Sequence, residues 1–117
     1  MTDKLVVLIT TGKMEEAQKI ADELVKQRLA ACVNIVPQIT SVYWWKGEVC
    51  HDTEVLLVVK TDRQRFVRLE QAVRNLHSYE IPEVIALPIE AGSQAYLEWM
   101  NESLEEAERA QVERGDP

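Results

Sequence analysis

His77, Tyr79 and Glu80 lie within four residues of one another, in His77-Ser78-Tyr79-Glu80-Ile81-Pro82. A histidine there can ligate a metal, shuttle a proton or cap a helix C-terminus, where the dipole favours it. With Lys60 and the hairpin-tip Trp44, Tyr79 and Glu80 make a candidate ligand cleft, in which a few polar groups converge. A network of ion pairs at a subunit contact would use the same residues. Cys32 opens a β-rich run after two alanines. As a thiolate it suits a soft ion such as Cu(I), but a free cysteine is also among the most buried residue types. Packing is the favoured role. Cys50 and His51 are adjacent, so on a strand they face opposite ways and cannot share one ion. Trp44 and Trp45 suit a subunit contact, where aromatic anchors are enriched. Arg63, Arg65, Arg68 and Arg74 could meet an anion, although a solvated face paired with nearby acids is commoner.

Several chemistries are excluded by motif. Gly12-Lys13 lacks the upstream glycine of a phosphate-binding loop, and there is no Gly-x-Ser-x-Gly turn for a hydrolase serine. The chain is not read as an enzyme.

The elements that must position these residues follow from periodicity. Residues 5–10 (LVVLIT) form a continuous apolar run, which predicts a strand buried on both faces. From Met14 the period changes, and Ala17, Ile20, Ala21 and Leu24 line one face of a helix ending near Arg28. Two β-rich runs, 32–45 and 48–60, flank Lys46-Gly47 and predict a long antiparallel hairpin. Its arms exceed the usual five or six residues by a wide margin, so the excess needs a cover, and a second subunit is the simplest. Pro37 belongs at an edge or a bulge, because proline cannot donate to a ladder. Thr61 or Asp62 can cap a second helix, with Phe66, Leu69, Val73 and Leu76 as its stripe. Pro82 ends the loop before a last strand, 83–89, which Pro88 marks as an edge. Ser93 caps a third helix with Tyr96, Leu97, Met100 and Leu104 inward.

The order β-α-β-β-α-β-α predicts an α+β fold, the ferredoxin-like sandwich with helices on one face of an antiparallel sheet. The other face would be bare in a monomer, which again points to an oligomer. One domain spans 1–117, and 105–117 reads as a solvated helix end or disordered tail.

The 117 residues are 46% hydrophobic with a formal net charge of -7. Nucleic-acid binding needs a basic surface, so it is not expected. No apolar run nears the roughly 20 residues of a membrane span, and the start is too brief for a signal segment. Two cysteines make no disulfide framework. The reading is cytoplasmic.

Taken together, several segments resemble the CutA divalent-cation tolerance family. They are Leu29-Ala30-Ala31-Cys32-Val33-Asn34, Ser41-Val42-Tyr43-Trp44-Trp45-Lys46-Gly47, Glu54 with 56–61, the 77–83 loop, and Tyr96-Leu97 with Trp99. The resemblance implies a homotrimer with an architecture similar to the PII signalling proteins, and an association with copper and other divalent ions. The family's copper-ligand positions fall on Ile9, Leu76 and His77, of which His77 alone carries a donor. No cofactor is required on this reading. Copper or another divalent cation would be bound weakly, with His77 and Cys32 as the candidate metal residues. The alternative is a small anionic metabolite in clefts between subunits.

Overall fold

The computed structural model describes residues 2–113, with side chains as far as Glu105. Its elements are β1 (Lys4–Thr11), α1 (Met14–Lys26), β2 (Cys32–Trp45), β3 (Glu48–Asp62), α2 (Phe66–Leu76), β4 (Val84–Pro88) and α3 (Gln94–Glu113), with a short 3-10 turn, Arg63–Arg65, before α2. The strands form one antiparallel sheet in the order β2-β3-β1-β4. This is the α+β arrangement expected from the element order.

The hairpin turns where its chemistry requires. Lys46 and Gly47 both adopt positive φ (51° and 81°), as a two-residue turn with the native strand twist demands, and Trp45 pairs with Glu48 across it. Both Pro37 expectations are met. Strand β2 is an edge strand, and its register with β3 shifts between Val36 and Ile39, with Gln38 at φ 60°. Arms of 14 and 15 residues carry the tip well past the body, and the chain measures 54 × 31 × 21 Å.

Helices α1 and α2 cover one sheet face. Their Ile20, Leu24, Leu69 and Val73 meet Leu5, Val7 and Ile9 of β1 and Val55, Leu57 and Val59 of β3, all buried. The opposite face behaves differently. In the register, Val6, Leu8, Leu56, Val58, Ile85 and Leu87 share it, and each is only half-buried or exposed. The run 5–10 is therefore buried on one side only within a single chain.

Helix α3 packs at the end of the sheet where β1 starts. Met100 and Leu104 are buried against Ala31, with Leu97 partly covered. Tyr96, expected inward, is 42% exposed and pairs with Trp99 at 5.4 Å between ring centres. Ser93 Oγ accepts the Tyr96 amide at 3.3 Å, as a capping serine should. The helix continues to Glu113. Whether the side chains after Glu105 are solvated, and the form of 114–117, lie outside the described residues.

Candidate functional site

The uncovered side of the hairpin and the 77–83 loop enclose a groove of about 520 Å³, lined among others by Thr10, Tyr43, Glu54, Tyr79, Glu80 and Glu83. Its walls follow from strand alternation. Residues 41, 43 and 45 of β2 and 50, 52 and 54 of β3 share one face. Tyr43 therefore reaches diagonally across the hairpin and donates its hydroxyl to Asp52. Tyr79 donates its hydroxyl to Glu54, at 2.7 Å, and Glu54 is a buried carboxylate. To get there Tyr79 passes over Gly12, where an added Cβ would stand 3.0 Å from the phenol oxygen. Glycine leaves that path open.

These contacts hold both phenols neutral. The hydrogen bond to Asp52 is the main cause that pushes Tyr43 up to about 12, with burial second. For Tyr79 burial is the larger cause and the bond to Glu54 the next, and the shift is upward. Burial also raises Tyr96, aided by Cys32. A phenol held above its ordinary 10 binds its proton more tightly folded than unfolded. Its stabilising contribution is whole below pH 10 and lost as pH rises towards 12. The urea midpoint is thus expected to fall across that window, and less steeply in a Tyr43→Phe, Tyr79→Phe double variant. An equally steep fall in the double variant would contradict this.

His77 lies just past α2 in extended backbone (φ -87°, ψ 142°), not in its last turn. Its ring is fully buried, with Nε2 2.6 Å from the Thr10 carbonyl and Nδ1 3.0 Å from the Tyr79 amide. The Thr10 carbonyl can only accept, so Nε2 carries the proton, and Nδ1 accepts from the amide. Thr10 lies one residue past the last β1–β4 pair, Ile9 with Val84, and the imidazole supplies a donor there. This long-range bond, rather than the helix dipole, is the positional role of His77.

The candidate cleft of Lys60, Tyr79, Glu80 and Trp44 does not come together within one chain. A cleft holding Lys60 and the 77–83 loop needs both at one end of the sheet, but β3 runs antiparallel to β1. Lys60 therefore pairs with Val6 near the start of β1, while Val84 pairs with Ile9 near its end. From Glu54, where Tyr79 lands, Lys60 is six residues along β3, or about 20 Å. There it donates to Asn34, beside Cys32 on the neighbouring strand. Trp44 alternates to the other hairpin face from Tyr43 and Trp45, and is 74% exposed. Glu80 and Tyr79 do line the groove. Tyr43 and Glu54 complete it, with Asp52 as the partner of the Tyr43 hydroxyl, and no sequence motif singles out these three as site residues. A two-residue turn at 46 and 47 opposes 43 with 50, which places 52 on the diagonal. That signal was available.

The metal residues are also apart. Cys32 Sγ lies 3.8 Å from Asn34 Oδ1, at the far end of the sheet from His77. Ile9 is wholly in the core, and Leu76 packs against it. No group of three or more His, Cys, Asp and Glu among the described residues is arranged to hold a metal ion. With both His77 nitrogens engaged, these residues do not fit a copper centre.

Comparison with known proteins gives one family. The model of the CutA1 divalent ion tolerance protein matches residues 5–103. The chain is 53% identical to the divalent-cation tolerance protein CutA of Thermus thermophilus, over 84% of this chain and 95% of that one. It is 46% identical to protein CutA of Mus musculus over 83% of its own length, but spans only 55% of the mouse protein and 58% of the chloroplastic Oryza sativa relative. Among solved structures, Thermus thermophilus Cut A1 superposes with a TM-score of 0.82 at 52% identity, covering 83% and 94% of the two chains. The periplasmic CutA of Archaeoglobus fulgidus gives 0.84 at 40% identity, covering 86% and 98%. The buried core, the long hairpin and these matches agree, and the chain belongs to the CutA1 divalent ion tolerance family.

Proposed function

We propose that this chain works as a homotrimer in divalent-cation tolerance, without catalysis of its own, binding copper or another divalent ion weakly. The observation that carries the assembly is the uncovered sheet face. Val6, Leu8, Leu56, Val58, Ile85 and Leu87 form one apolar surface that no helix among the described residues buries. A contiguous patch of that kind marks an interface, and closed cyclic symmetry buries it on every copy. The projecting hairpin gives each copy an arm with which to reach a neighbour.

The non-catalytic part rests on the names of the family and its relatives, which describe tolerance and not a reaction. The groove lends support to cations over anions. This chain contributes Glu54, Glu80 and Glu83 to its lining, and carboxylates repel a small anionic metabolite. Two unpaired cysteines suit a reducing compartment, the cytoplasm in this reading. No helix among the described residues is long and apolar enough to cross a membrane.

Light scattering coupled to gel filtration tests the assembly. The expected mass is about 40 kDa, three times the 13.4 kDa chain. A stable species of one chain's mass at micromolar concentration would sink the proposal.

A further inference from the structure

We infer that His77 serves this chain as a neutral positioning residue for Tyr79, and that metal ions are not bound through it. The inference stands apart from the assembly and rests on burial and three contacts. The ring is fully buried, Nε2–H donates to the Thr10 carbonyl, and Nδ1 accepts the Tyr79 amide. The Tyr79 ring then lies against the imidazole, 4.7 Å between centres and tilted by 52°.

A metal needs a lone pair, and a neutral imidazole has one, on the nitrogen without the proton. Here that nitrogen is Nδ1, and it faces the Tyr79 amide. Coordination at Nδ1 would strip the amide of its acceptor. Coordination at Nε2 would require moving the proton to Nδ1, against the same amide, and displacing Thr10. Glu16 Oε2 stands 4.0 Å from Nδ1, but both its carboxylate oxygens already hold Ser78, and Ile9 and Leu76 are hydrocarbon side chains within or against the core, so no free second donor offsets either loss. Metals are held by several ligands together, each making up part of the lost hydration.

The positioning role follows from what Tyr79 does at its two ends. Its amide is tied to His77 and its hydroxyl to Glu54, with Gly12 leaving the path between them clear. Next to it Glu16 accepts both the amide and the hydroxyl of Ser78, which anchors the loop to α1. His77 therefore sets where the phenol enters the groove.

Nitrogen-15 NMR of the full chain tests this with a built-in control, since the two histidines are His51, exposed on the hairpin, and His77. His77 is expected to show the Nε2–H tautomer, and its ring signals to stay in place under stoichiometric zinc(II) chloride. Exchange of the Tyr79 amide should quicken several-fold, up to about tenfold, in His77→Ala, the equivalent of one lost hydrogen bond. In His77→Asn it should return towards the wild-type rate, because an Asn oxygen accepts from the amide two residues on. Movement of the His77 ring at one equivalent of zinc, an Nδ1–H tautomer, or unchanged Tyr79 exchange in His77→Ala would each overturn the inference. If the alanine variant does not fold, the wild-type ring measurements alone decide.

Discussion

Replacing Asp62 with alanine is expected to lower the unfolding free energy by about 3 to 5 kcal/mol, the range for breaking a buried ion pair. Asp62 and Arg65 are both almost fully buried, and Oδ2 accepts from Nη1 at 2.8 Å. The other carboxylate oxygen accepts the Arg65 backbone amide at 3.1 Å, so the same side chain caps the turn that leads into α2. Arg65 Nη2 in turn donates to the Leu104 carbonyl and ties α3 to the end of β3. The alanine variant would leave a guanidinium in the interior without this carboxylate. Asp62→Asn keeps a capping oxygen but not the charge, and should fall between, with the cap alone worth about 1 kcal/mol. Denaturant midpoints at constant slope measure both. A loss below about 1 kcal/mol in Asp62→Ala would show that Arg65 is held mainly by its other contacts.

Val58→Asp is expected to abolish the trimer proposed above. Val58 sits in the middle of the uncovered face, paired with Leu8 on one side and Asn34 on the other. A carboxylate there would have to leave water at every copy of the interface, and an unpaired buried charge is too costly to persist. The mass should drop from about 40 kDa to that of the 13.4 kDa chain, with the far-UV spectrum little changed. Val67→Asp on the exposed side of α2 is the control, since that residue is already in solvent. A Val58→Asp protein that keeps the trimer mass would place the interface elsewhere.

Local chemistry made most of the fold legible. The positive-φ demand at Lys46 and Gly47, the missing donor of Pro37 and the stripes of α1 and α2 each depend on neighbours in sequence, and each appears in the structure. The bare sheet face was legible for the same reason, because its apolar residues outnumber the helices available to cover them. The site was less so. Grouping Lys60 with Tyr79 and Glu80 fails because strand direction and not strand order decides which termini meet. His77 was read through its own helix, whereas its partner is a carbonyl 67 residues away. Tyr79 and Glu54 are 25 residues apart, and the phenol reaches the carboxylate over Gly12, where a Cβ would crowd it. No periodicity records such a meeting.

The position of β1 in the sheet also has a kinetic side. Of the four strands it is made first, yet both its neighbours come much later, β3 from Glu48 and β4 from Val84. At roughly 5 to 20 residues per second, an apolar strand waits several seconds on the ribosome before either partner can reach it. The hairpin, by contrast, closes through a two-residue turn on the microsecond scale. Its completed edge is then what β1 docks on, and Val84–Pro88 seals the other side last. During synthesis this fold's greatest exposure to misassembly therefore lies in β1, the strand that ends up between two others.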